Sequence, residues 1–218
     1  MKKVFLLIGI ILAIIACKKS DNSNDNPISS TSYFPLAKGN YWIYKEYEID
    51  TNSVEAQLET IDSINVTNDT IINGKKYYVI YHDRNTSSFG NFVLDEYKYV
   101  RDSSGYLVKI DGGIVFSVCN FTDALVKRVS SFGQDTLSIV TGKMEKVTEQ
   151  INVPAGSFND VLNLKGTVVL GRQFSYLKRP HYVNNYYAKN VGLILKSTFE
   201  LYDGTVFEVR LLRYKINN

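Results

Sequence analysis

The side chains that could act as a general base or bind a metal are few, and their spacing supports neither role. Two histidines occur among 218 residues, His82 and His181, and we expect them at the end of a strand and in a loop. A hydrolase needs a nucleophile within hydrogen-bond reach of its base, and a zinc site needs closely spaced ligands. No C-x-x-C, H-E-x-x-H, G-x-S-x-G or phosphate-loop motif is present. We therefore predict no metal and no cofactor, and a hydrolase is the least favoured function.

Aromatic side chains are the strongest candidates for a binding site. The chain has 16 Tyr and 11 Phe, and the candidates for ligand contact, all expected on or beside strands, are Trp42, Tyr44, Tyr78, Tyr97, Tyr99 and Tyr187. If one row of them lined a concave face, rings and hydroxyl groups would form the wall of a cavity for a lipid, a glycan or another amphipathic ligand. The alternative is that these rings pack the core and the sheet.

Cys17 is the residue whose setting predicts a defined modification. The chain begins with basic Lys2 and Lys3, continues through an apolar run over residues 4–15, and turns polar directly after Cys17. This pattern is typical of a secretory signal, and the run is too short to span a bilayer, which takes about 20 residues. The sequence around residues 14–17 resembles a bacterial lipobox. We predict a lipoprotein signal peptide over residues 1–16 and a lipid on Cys17 that attaches the protein to a membrane. Cys119 would then be a lone thiol, which we expect to be buried in a strand.

Residues 17–32 are predicted to be the lipidated cysteine and a flexible tether. This stretch contains a single aliphatic residue, Ile28, and no aromatic residue, so it cannot bury enough apolar surface to offset the cost of ordering. Loss of Lys2 and Lys3 with the signal lowers the net charge from +3 to about +1. No clustered basic face is evident, which argues against nucleic-acid binding.

From residue 33 to residue 218 the sequence predicts a single all-β domain. Short segments rich in aromatic and β-branched residues alternate with turn residues, among them the Asn73-Gly74 hairpin signal. We count about eleven or twelve strands in an antiparallel meander, which we expect to form a curved half-barrel or open barrel, with a β-sandwich as the alternative. Three local predictions are a strand over Phe92–Arg101, a short helix over Asp123–Val129 and a bend or bulge at Gly166.

Three short motifs carry a resemblance to a known family. They are Gly39-Asn40-Tyr41-Trp42-Ile43-Tyr44, Val153-Pro154-Ala155-Gly156-Ser157-Phe158 and residues 186–194, YYAKNVGLI. In this order they resemble the TapB-like family of Bacteroidetes-type exported lipoproteins. The resemblance implies a half-barrel-like domain related in shape to lipoprotein carriers, and it brings no catalytic set.

These features predict a non-enzymatic lipoprotein that binds an amphipathic ligand or a protein partner. We expect an outer-membrane location, facing either the periplasm or the cell exterior. A structural or assembly component of an envelope complex is the alternative function.

Overall fold

The structure is a computed structural model that describes residues 28–85, 98–177 and 180–217. Backbone pairing in these ranges forms fourteen strands and two single-turn 3₁₀ helices, at Ser30–Ser32 and Arg172–Phe174. The strands are β1 (Tyr41–Ile49), β2 (Glu55–Ile72), β3 (Lys75–Asn85), β4 (Tyr99–Ser103), β5 (Tyr106–Lys109), β6 (Ile114–Ser117), β7 (Ala124–Phe132), β8 (Asp135–Val147), β9 (Ile151–Val153), β10 (Gly156–Phe158), β11 (Val161–Leu170), β12 (His181–Ala188), β13 (Gly192–Phe199) and β14 (Val206–Lys215). In these described residues, no helix is long and apolar enough to cross a membrane.

Twelve of the strands form one antiparallel sheet that curls into a nearly closed barrel. Their order is β6-β5-β4-β3-β2-β1-β14-β13-β12-β11-β8-β7, and β9 and β10 form a separate hairpin. The first and last strands pair with each other along β1 and β14, so the seam that stays open lies in mid-chain, between β6 and β7. The predicted all-β open barrel of eleven or twelve strands is confirmed, and the sandwich alternative is wrong because one sheet wraps round the core.

Alternation along the strands places the core inside the barrel. On β1, Trp42 and Tyr44 are fully buried, and their partners on β2 include Ile64, which is also buried. The core continues round the barrel through a set of buried apolar residues that includes Val66, Ile80, Val100, Leu107, Phe116, Met144, Leu162, Leu164, Ile194, Val209 and Leu211. Successive side chains of a strand point to opposite faces, so each strand gives one row to this interior.

The hairpin predicted at Asn73-Gly74 is confirmed. Ile72 pairs with Lys75 across the turn, and Asn73 and Gly74 have positive φ values of 51° and 71°. A two-residue turn with both central residues in this region matches the twist of the strands that it joins.

The helix predicted over Asp123–Val129 is wrong, because residues from Ala124 onward form strand β7. Asn120 Oδ1 accepts the backbone N–H groups of Thr122 and Asp123, at 3.2 and 3.1 Å. These bonds close a turn rather than start a helix, and the backbone that follows pairs with β8.

Other differences concern the ends of elements. His82 lies within β3 and His181 begins β12. Of the strand predicted over Phe92–Arg101, residues 92–97 lie outside the described residues, and β4 begins at Tyr99. The fold also includes residues placed in the tether: Ser30 is fully buried, and its backbone N–H donates to Asp102 Oδ1 at 2.8 Å.

Candidate functional site

The three motifs that carry the family resemblance meet at one end of the barrel. Trp42 Nε1 donates to the carbonyl oxygen of Val191 at 2.6 Å, and Tyr44 Oη donates to the carbonyl oxygen of Leu193 at 3.0 Å. The β9–β10 hairpin joins them through Ala155, whose N–H donates to Leu211 O at 2.9 Å. These contacts close and stabilise the barrel end, so the motifs have a structural role there.

Three of the predicted ligand-contacting aromatics are core residues. Trp42, Tyr44 and Tyr187 are 0%, 0% and 3% exposed. Trp42 stacks on Phe34 with ring centroids 5.1 Å apart, and Tyr187 stacks on Phe116 at 4.3 Å. Burial raises the pKa of Tyr44 well above its ordinary value, and the charges of Asp62 and Tyr187 add to the effect.

The remaining aromatic candidates do not share a face. Tyr78 pairs with Val100, which is buried in the core, and Tyr78 packs against that core. Tyr99 occupies the next position along β4, so its side chain points to the opposite face. Tyr97 lies outside the described residues. Among the five that are described, none lines the cavity of about 640 Å³ that is described below; their role in ligand contact stays a prediction.

A buried polar pair lies beside the aromatic core. The side chains of Asp62 and His82 are each 5% exposed and are hydrogen-bonded through Asp62 Oδ1 and His82 Nε2. His181 lies on another strand, β12, where its ring is tilted against that of Phe199 with the centroids 4.0 Å apart. Within the described ranges, no three His, Cys, Asp or Glu side chains come together as a metal site.

A cavity of about 640 Å³ occupies the other part of the barrel interior. Trp42 lies at the closed end of β1, and Glu48, near the other end of the same strand, lines the cavity. Part of the wall is apolar and comes from four strands, through Val140, Val168, Val183 and Phe207. Sites for small molecules usually have volumes of about 300–1,000 Å³ and mainly apolar walls with a few placed polar groups. The cavity meets both conditions.

The charged groups in the cavity are Lys196, Arg128 and Glu48, besides acids of the β13–β14 turn. Lys196 is 7% exposed and pairs with Val209, a core residue, so its side chain starts from the inward face. A charge that is so deeply enclosed is costly unless other groups stabilise it. The cavity therefore combines apolar walls with an enclosed cation.

The two turn acids already accept hydrogen bonds from their own backbone. Glu200 Oε1 accepts from the N–H of Leu201 at 2.9 Å, and Asp203 Oδ1 accepts from the N–H of Thr205 at 2.9 Å. The Thr205 N–H also holds the pKa of Asp203 below its ordinary value. These hydrogen bonds stabilise the turn, and both carboxylates remain part of the cavity wall.

Gly166 sets the width of the barrel beneath the cavity. It pairs with Gly142 on one side and Val183 on the other, without a register shift, so no bulge occurs there and a bend stays a prediction. A Cβ at Gly166 would lie 2.6 Å from Val183 Cγ2 and 2.7 Å from Val140 Cγ1. The missing side chain therefore allows two cavity-lining valines to meet across the strand.

The aromatic residues that the sequence favours are not the ones that line the cavity, whose wall consists largely of polar and aliphatic side chains. One signal was present: Lys196 follows three apolar residues of β13, Leu193, Ile194 and Leu195. Lys196 lies two positions after the apolar Ile194, so the two side chains are on the same face of the strand. A cation at such a position indicates that part of the interior is polar. The other residues of the cavity wall come from six further strands, and they could not be identified without the pairing register.

Cys119 lies just beyond β6 and is half-buried, rather than fully buried in a strand as predicted. Its N–H donates to Ser117 Oγ at 3.1 Å. Cys119 is disulfide-bonded, so the predicted lone thiol is wrong. Cys17 lies outside the described residues, and its lipidation stays a prediction.

Comparisons with known proteins show a distant likeness to two solved structures. A protein of Parabacteroides distasonis assigned as a lipoprotein is 14% identical, with a TM-score of 0.45, covering 84% of this chain and 98% of that one. A protein of Bacteroides fragilis assigned as exported, with a YmcC-like fold, is 15% identical, with a TM-score of 0.43 and the same coverage. No protein-family model matches the chain, and no curated protein does. The TapB-like resemblance is not confirmed by these comparisons.

Proposed function

We propose that this chain is a non-enzymatic lipoprotein of the cell envelope whose barrel cavity binds an amphipathic molecule with an anionic head group. The attachment to the membrane is a lipid on Cys17, and the location is the outer membrane, on its periplasmic or its outer side. The observation that carries the binding proposal is the enclosed Lys196 in a cavity with apolar walls.

The apolar walls suit the tail of such a ligand. Val140, Val168 and Val183 come from three neighbouring strands and form a continuous surface above Gly166. Each methylene group that a ligand buries against such a surface gains about 0.8 kcal/mol. A chain of several carbons would therefore be held without any specific polar contact.

Lys196 suits the head of the ligand. It contributes a positive charge to a lining that also carries Arg128 and the carboxylates of Glu48, Glu200 and Asp203. A carboxylate or phosphate in a site of low dielectric interacts more strongly with a cation than it would in water. We assign the anionic head group to the neighbourhood of Lys196, which is 7% exposed and is the more deeply enclosed of the two cations in the lining.

Recovery of a ligand from the protein tests this proposal. The chain from residue 18 onward, exported through an unrelated signal peptide and purified without detergent, would be examined by native mass spectrometry and solvent extraction. We expect a bound anionic lipid-like molecule, released on denaturation. The matched control is Val183→Trp, whose indole fills the cavity and should leave the protein empty. Equal recovery from both proteins would contradict binding in the cavity.

A further inference from the structure

The open seam of the barrel leaves one long strand without a neighbour on its outer side. β7 has nine residues and β6 has four. β7 pairs with β8, β6 pairs with β5, and the two strands end the sheet without pairing with each other. Among the described residues, no strand therefore continues the sheet beyond β7.

The connection between β6 and β7 fixes one end of this seam. Ser117 Oγ accepts the N–H groups of Cys119 and Asn120, each at 3.1 Å, and Asn120 then closes the turn before β7. Beyond the turn, a cavity of about 320 Å³ separates the strands and is lined by Lys109, Gly113, Ile114 and residues 125–128. The seam is thus anchored at the connection and open along β7.

The charge on β7 distinguishes among strands that could pair with this edge. Lys127 and Arg128 are exposed neighbours in the middle of the strand, so one lies on each face of the sheet. Lys127 forms no ion pair within the described part of the chain. Like charges directly opposite each other destabilise a strand pair, and opposite charges stabilise it.

These charges disfavour a second copy of this chain as the occupant. An antiparallel pairing of two β7 strands about their centres would place Lys127 and Arg128 of one copy near those of the other. Cationic side chains on edge strands are a recognised protection against such self-association. A strand that carries adjacent acidic residues would meet one cation on each face.

We propose that the open edge of β7 binds an extended acidic segment of a partner protein as an added strand. Backbone N–H and C=O groups of the edge supply the hydrogen bonds, as in other cases of strand addition, and the two cations select the acidic segment. A nine-residue edge at about 3.3 Å per residue would accept a segment of roughly 30 Å.

The test uses the mature chain and three ten-residue peptides. Each peptide alternates Thr and Val, and the central pair is Glu-Glu, Lys-Lys or Gln-Gln. We expect the Glu-Glu peptide to bind about tenfold more tightly than the Lys-Lys peptide, with the Gln-Gln peptide between them. Hydrogen exchange should slow at amides of residues 124–132 when the Glu-Glu peptide binds.

A charge exchange gives the decisive comparison. The double variant Lys127→Glu with Arg128→Glu should reverse the preference, so that the Lys-Lys peptide binds more tightly. Arg213→Glu, which changes an exposed cation on β14, should leave the order unchanged. Both cations of β7 are exposed, so we expect the double variant to fold, with an unchanged near-UV circular dichroism spectrum. Binding without protection of β7, or a peptide order that does not reverse in the folded variant, would overturn the proposal.

Discussion

The indole Nε1 of Trp42 donates a hydrogen bond to the carbonyl oxygen of Val191, which lies 149 positions later in the chain. Gly192 makes this approach feasible: a Cβ there would lie 2.9 Å from Trp42 Nε1, and its φ of +113° disfavours other residues. The bond joins β1 to the turn before β13, on the two sides of β14. It therefore ties the first strand to the last third of the chain.

Replacement of Trp42 by Phe should destabilise the protein by about 2–4 kcal/mol. The change removes the donor to Val191 and leaves a void beside Phe34 in a fully buried site. Denaturant unfolding of the mature chain measures the difference. Tyr202→Phe, at a position that is 80% exposed, is the control and should change stability by less than about 0.5 kcal/mol. Equal midpoints for the two variants would contradict this account of the barrel end.

Replacement of Gly166 by Ala should destabilise the protein by about 1–3 kcal/mol, since an added Cβ would overlap Val140 and Val183. The control is Gly142→Ala on the paired strand, where the nearest atom, Leu164 Cδ1, is 3.3 Å away. We expect a clearly smaller loss for that variant in the same denaturant series. If Gly142→Ala were the more damaging change, the packing described beneath the cavity would be incorrect.

Replacement of Tyr44 by Phe should cost about 1–3 kcal/mol near neutral pH, because the carbonyl of Leu193 loses its donor. The cost should shrink above about pH 10, the ordinary pKa of tyrosine. In the unfolded chain the Tyr44 hydroxyl ionises there, whereas burial raises its pKa in the folded protein. Wild-type stability then falls with rising pH, and the variant lacks this loss.

Unfolding of both proteins between pH 7 and pH 11 measures the effect. Below about pH 9 the difference in stability should be constant, because the hydroxyl is protonated in both states. Between pH 10 and pH 11 it should narrow by about 1 kcal/mol. A difference that does not change with pH would show that Tyr44 does not titrate as its burial implies.

Replacement of Cys17 by Ser should abolish lipid attachment and leave the signal peptide uncleaved at that position. Metabolic labelling with an alkyne-bearing fatty acid, followed by mass determination, measures both effects. Cys119→Ser is the matched control, and we expect it to be labelled and processed normally. Labelling that persists in Cys17→Ser and disappears in Cys119→Ser would show that Cys119, and not Cys17, carries the lipid.

Local chemistry made most of the fold predictable from the sequence. The Asn73-Gly74 turn and the alternation around Trp42 and Tyr44 depend on neighbouring residues, and the structure reproduces both. The helix predicted over residues of β7 was wrong because Leu125, Val126 and Val129 fit a helical period as well as a strand. Pairing with β8 decides between the two structures. This pairing joins β7 to the next strand of the chain, from Phe132 with Asp135 at the turn to Ala124 with Lys143, and the pattern within β7 alone does not reveal it.

The cavity was less predictable than the fold for a related reason. Its wall takes residues from seven strands, and the inward face of each strand is known only once the register is known. Aromatic residues were the obvious candidates, but the largest of them, Trp42 and Tyr44, fill the closed end. Lys196 and Val183, which do line the cavity, are ordinary residues in their local sequence.

Binding of a fluorescent fatty acid tests the central claim most directly. The probe is 11-(dansylamino)undecanoic acid, titrated into the mature chain with Cys17→Ser and into the same chain carrying Lys196→Met, Val183→Trp or Ile71→Trp. Ile71 is 75% exposed, on the hairpin of β2 and β3. We predict saturable one-to-one binding that Ile71→Trp leaves unchanged, Lys196→Met weakens about tenfold and Val183→Trp abolishes. Absence of binding, or binding that Lys196→Met and Val183→Trp do not alter, would contradict an anionic amphipathic ligand in this cavity.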